Sequence, residues 1–150
     1  MGRITPEEGA AVIARLAAEP WPGNADEARD RMGREGMSLG PGSSYPGGVT
    51  GPVVGAPSEW EATWFESESG FALTLFVAET TPLDTTIVHE TADAYVSALD
   101  GLMPRLPLGA AEPSRRGIAW FSGGAVVELD RIDSHDRIGL VQVHLESPAL

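Results

Sequence analysis

Apolar and polar residues along this chain alternate with two periods, and each period predicts its own elements. Behind Thr5 and Glu8, which form T-x-x-E with Pro6 at the first helical position, Val12, Ile13 and Leu16 fall at helical spacing. This capping box predicts a helix that stops at Pro20. Asn24 and Glu27 repeat the capping pattern ahead of a thin apolar face, Ala25, Ala28 and Met32, and Gly36 stands where a left-handed residue closes a helix. The strongest amphipathic stripe follows Asp84: Ile87, Val88, Thr91, Ala92, Tyr95, Val96, Leu99 and Leu102, with Pro104 ending or kinking the helix.

Period-two alternation marks the strands. Trp60, Ala62 and Trp64 alternate with Glu59, Glu61 and Phe65, and Phe71, Leu73, Leu75 and Val77 alternate with Ala72, Thr74 and Phe76. The turn from Ser67 to Gly70 joins these into a hairpin. Three more strands are predicted at 118–122, from 125 and at 138–146, separated by Gly123-Gly124 and by a polar turn around DSHD. Residues 39–57 hold six Gly and four Pro and predict a loop with at most a short edge strand at Val53 and Val54. The element order predicts a single α+β domain over 1–150, with a mainly antiparallel sheet of about five strands and helices packed on one face.

Composition narrows the partners. Against 22 acidic residues stand 10 basic ones, all Arg, giving a net charge of −12. Such a field repels nucleic acid and anionic membrane surfaces and attracts a basic protein. The absence of Lys beside abundant Ala, Gly, Arg and Pro suggests a GC-rich coding genome. No Cys occurs, so disulfides, thiolate chemistry and cysteine zinc sites are excluded. MGRITPEE lacks an apolar signal region, Pro6 stands where myristoylation wants Ser or Thr, and FALTLFVA is far short of the roughly 20 residues of a membrane helix. The expectation is a cytoplasmic protein without a cofactor.

Three motifs invite chemistry. GMSLG at 36–40 has the G-x-S-x-G spacing of a nucleophile elbow, but a predicted helix precedes Ser38 where a buried strand is needed, and a Pro/Gly segment follows where a helix is needed. HETAD at 89–93 carries half of H-E-x-x-H, with Asp93 in place of the second zinc ligand. DRIDSHDR gathers Asp130, Asp133, His135 and Asp136, which a divalent cation would accept, although Asp, Ser and His are also ordinary turn residues and Arg131 and Arg137 flank them. His144 alternates with Val143 and Leu145, which places it on the solvent face of the last strand.

Charge location says more. Residues 37–113 carry ten acids and one Arg, whereas the flanking segments are nearly balanced. Glu59, Glu61, Glu66 and Glu68 on the first hairpin, with Trp64 beside them, and Glu90 and Asp93 on the third helix are the expected partner-binding residues.

The helix followed by Trp21, the capped second helix, the long third helix, and then Leu108, Gly109, Glu112 and Pro113 ahead of Trp120 and VVELDR together resemble small uncharacterised domain-of-unknown-function proteins of high-GC bacteria. Some of these are similar to immunity proteins of polymorphic toxin systems, others to small secretion chaperones. The resemblance implies a non-enzymatic inhibitor that masks a basic toxin or effector with its acidic surface. A secretion-chaperone-like protein binding an extended segment, and a metal-assisted hydrolase using the 130–136 turn, are the alternatives.

Overall fold

Thr5 and Glu8 close the capping box reciprocally, Glu8 N–H donating to Thr5 Oγ1 (3.1 Å) and Thr5 N–H to Glu8 Oε1 (3.2 Å), and helix α1 runs Pro6–Ala18. The computed structural model describes residues 4–56, 60–80, 84–106, 117–132 and 139–148. Helix α2, Ala25–Arg34, starts where Glu27 N–H donates to Asn24 Oδ1 and ends at Gly36, which has the expected positive φ of 78°. Helix α3, Thr85–Asp100, is capped by Asp84. It stops four residues before Pro104, because residues 104–106 leave the helix and hydrogen-bond to the edge strand of the sheet.

The described residues form an antiparallel sheet of eight strands: β1 Ser38–Leu39, β2 Ser43–Tyr45, β3 Gly48–Val54, β4 Glu61–Ser67, β5 Gly70–Thr80, β6 Ile118–Phe121, β7 Val126–Ile132 and β8 Gly139–Glu146. Their order is β1-β3-β4-β5-β8-β7-β6, with β2 also paired to β3. The α+β fold is as expected, but the sheet exceeds five strands because the Gly/Pro segment is not a loop. Its glycines let the chain pass over the Trp64 indole: a Cβ on Gly42 would lie 2.8 Å, and one on Gly51 2.7 Å, from that ring. Trp64 Nε1–H donates to Gly40 O (3.2 Å), so the ring that glycine admits also anchors the segment.

All three helices share one side of the sheet. Leu73, Leu75, Val127, Leu129, Val143 and Leu145 point there and form one buried cluster with Ile13 and Leu16 of α1, Ala28 and Met32 of α2, and Val88 and Leu99 of α3. Burial of each large aliphatic side chain contributes about 1.5–3 kcal/mol before entropy is charged against it. Two polar clamps fix the helices to the sheet. At one, Ser122 Oγ–H (2.8 Å) and Ala125 N–H (3.2 Å) both donate to Ala17 O at the end of α1. Arg31 of α2 donates to the remaining carbonyls of that helix end, Leu16 O, Glu19 O and Pro20 O. At the other clamp, Asp100 accepts from Arg105 Nε and Nη2 (both 2.8 Å) and from the indole of fully buried Trp120 (2.9 Å).

Two measurements test these clamps. A Cβ on Gly124 would stand 1.9 Å from Glu19 O and 2.3 Å from Ala17 O, so Gly124→Ala is expected to lower the free energy of unfolding by about 2–4 kcal/mol. Gly33→Ala, a helical site with open space around the new methyl, should instead raise it by about 0.5 kcal/mol in urea titrations. The Arg105 hydrogen bonds, and then that of Trp120, hold the Asp100 carboxyl down at about 2, below its ordinary 3.8. Its folded value being the lower one, Asp100 contributes stability above its unfolded value and loses that contribution as pH falls through about 2. The side chain is more than one-third exposed, so screening limits the effect to about 1 kcal/mol or less, and Asp100→Asn should flatten the wild-type loss over that window.

Candidate protein-binding surface

The opposite face of the sheet carries no helix among the described residues, and its composition follows from register. Three rungs cross the central strands: Phe121–Val126–Glu146–Ala72–Phe65, then Ala119–Glu128–His144–Thr74–Thr63, then Asp130–Gln142–Phe76–Glu61. Carboxylates and aromatic rings thus share these rungs, and no Lys or Arg occurs in them among the described residues. Tyr45 of β2 extends it, packing edge-on against Phe65 with centroids 6.4 Å apart. At the centre, His144 Nδ1 lies 2.9 Å from Thr74 Oγ1 and its Nε2 lies 3.4 Å from Glu146 Oε2. The imidazole thus bridges β5 and β8, and Thr74 beneath it retains only 8% exposure. His144 therefore lies on the face opposite the helices, as its alternation predicted.

A groove of about 330 Å³ opens at the margin of this face, where a bulge at Val77 interrupts the β5–β8 ladder. Trp60 and Tyr95, 6.4 Å apart between ring centroids, lie deep in it, and Gly9 permits their approach to α1 because a Cβ there would sit 2.4 Å from the Tyr95 hydroxyl. Burial pushes the Tyr95 phenol up to about 12, against a hydrogen bond from Trp60 and with help from the Glu7 carboxylate, so Tyr95 stays neutral. Ile87 and Phe76 form apolar walls, and Glu61 and Glu79 are exposed at the rim.

The expected partner residues are dispersed over this frame. Glu61 is on the open face at the groove, and Glu68 is exposed in the turn at the far end of β4, seven residues or about 23 Å away. Trp64 corrects the expectation: it points to the helix side and keeps 4% exposure under the glycine-rich strands. Glu66 shares that side, and its Oε2 accepts from Ala25 N–H (2.7 Å), so it serves the N-terminus of α2. Glu90 and Asp93 are exposed on α3, away from its buried stripe of Val88, Ala92, Tyr95 and Leu99. Glu59 lies outside the described residues, as do Asp133, His135 and Asp136, the core of the suggested cation turn. One continuous acidic patch is therefore not assembled, because a strand sends Glu61 and Glu66 to opposite faces.

Glu128 and Glu146, with Phe76 and Phe121, are the surface residues that sequence reasoning missed, and Asp130 entered it only as a candidate cation ligand. Their signal was present in the alternation of VVELD and LVQVHLE. Ser38 of GMSLG sits exposed on β1, entered from a helix and leading to a strand pair with β3, the reverse of an elbow. The β6 edge is occupied by residues 104–106 through Leu106 N–H to Ala119 O and Phe121 N–H to Pro104 O, which closes that edge to an added peptide strand.

Compared with protein-family models, curated proteins and solved structures, the chain matches none.

The role of Glu66 is testable apart from any partner. Glu66→Gln removes an anion at a helix N-terminus and should cost about 1 kcal/mol in denaturant unfolding. The same substitution should leave partner association rates unchanged.

Proposed function

We propose that this chain is a non-enzymatic protein-binding domain of the immunity-inhibitor kind, which masks a basic partner with the sheet face opposite its described helices. The observation that carries this reading is the mixture on that face. Solvated sheet faces normally carry polar side chains, whereas here Phe65, Phe76, Phe121 and Tyr45 are interleaved with Glu61, Glu128, Asp130 and Glu146. Aromatic groups supply the contact area of protein interfaces, and complementary charge accelerates encounter and rejects acidic partners. A net charge of −12 adds long-range steering of the same sign.

The product of the reading frame adjacent to this gene is the first partner to test, by biolayer interferometry. The association rate should fall about tenfold or more as salt rises from low to high ionic strength. The double substitution Glu128→Lys with Glu146→Lys should slow association further at low salt, and Phe121→Ala should speed dissociation by about tenfold. Binding that is indifferent to all three face substitutions would remove the open face from the interface.

A further inference from the structure

The groove at the edge of the open face differs from the face itself, being concave, with aromatic and aliphatic side chains in its walls and carboxylates at its mouth. Its volume of about 330 Å³ is at the lower end of ligand sites, roughly 300–1,000 Å³. Trp60, Tyr95, Phe76 and Ile87 supply the apolar surface, and Ile87 keeps 45% exposure although it lies on a helix whose other large apolar residues are covered. Glu61 and Glu79 stand at the mouth, and none of the described lining residues is basic. Such a slot disfavours a phosphate or a carboxylate by charge, and its aromatic and aliphatic walls add no ligand for a bare cation beyond the rim carboxylates. It fits an aliphatic side chain flanked by cations.

Building on the protein-binding reading above, we propose that this groove seats an apolar side chain of the basic protein partner, with an Arg or Lys neighbouring it in the partner's sequence paired to Glu61 and Glu79. Continuity favours a protein over a small amphipathic amine: Phe76 and Glu61 belong both to the third rung of the open face and to the groove, so a partner lying on the face reaches the slot. The open face then provides steering and area, while the groove provides an anchor pocket at its margin for one side chain of the partner.

The capped peptide GRRLRRG, titrated into the isotopically labelled full chain and followed by amide chemical shifts, tests this without a known partner. Shifts should concentrate at Glu79, Ile87 and Thr91, with a dissociation constant at or below about 1 mM. The peptide GRRGRRG should bind about tenfold more weakly, GEELEEG should give no shifts, and Ile87→Asp, at an exposed position, should abolish binding without changing the melting temperature. Equal binding of GRRLRRG and GRRGRRG, shifts centred elsewhere, or no binding of GRRLRRG at about 1 mM would overturn the groove assignment. Ile87→Asp in the partner assay separates the two readings. Partner binding lost on Glu128→Lys with Glu146→Lys but unaffected by Ile87→Asp leaves the face in place and removes the groove. Peptide binding at the groove in a chain whose partner ignores the face substitutions does the reverse.

Discussion

Leu73 and Leu75 of β5, Val127 and Leu129 of β7, and Val143 and Leu145 of β8 project to the same side of three adjacent strands, and none exceeds 3% exposure. That apolar sheet face has to be covered, and α1, α2 and α3 are spent covering it. Strand geometry then dictates the rest: each residue between two buried ones is delivered to the other side. Glu128, His144, Glu146, Gln142 and Asp130 are on the open face for this reason alone. Packing of the core and composition of the open face are two consequences of one register.

The acidic residues divide by the same logic. Some are structural: Glu66 caps α2, Asp100 joins α3 to Arg105 and Trp120, and Glu35 accepts from Arg15 at 2.7 Å to link α2 with α1. Net charge overstates what is offered to a partner, because these carboxylates are committed to hydrogen bonds within the chain. Glu61, Glu68, Glu79, Glu90 and Asp93 remain exposed. Polar clamps at Ala17 O and Asp100 add little free energy individually, about 0.5–1.5 kcal/mol for a typical neutral hydrogen bond. Their contribution is positional, since they set where α1 and α3 meet the sheet and hence where Tyr95, Trp60 and Ile87 converge.

In the proposed protein-binding role, a flat mixed face and a concave slot beside it would divide the work of recognition in a way that neither does alone. Exposed charge acts over a Debye length, about 8 Å at physiological salt, and governs encounter. Aromatic contact and a filled slot act only at van der Waals distance and govern residence. Two strands and a helix hold the groove, which lies where the β4–β5 ladder ends at the pair Glu61 with Phe76.

Local signals were legible from the sequence because they depend on few neighbours. The capping box of α1, the Asn24 cap, the Gly36 stop and the turns of both main hairpins require only residues within four positions of one another. The α+β class and the shared helix side follow from two hydrophobic periods. Tertiary structure alone decided three things. It made strands of the Gly/Pro segment, since the need for glycine there arises from Trp64, some twenty residues distant in sequence. It turned Glu66 and Trp64 inward while leaving Glu61 outside, which depends on which strand face the helices choose. It also assembled the open face and its groove from β4, β5, β6, β7, β8 and α3, whose neighbourhood is set by long-range pairing such as Thr74 with His144. Sequence period determines which residues share a face of one strand, but only the packed sheet determines which strands stand side by side.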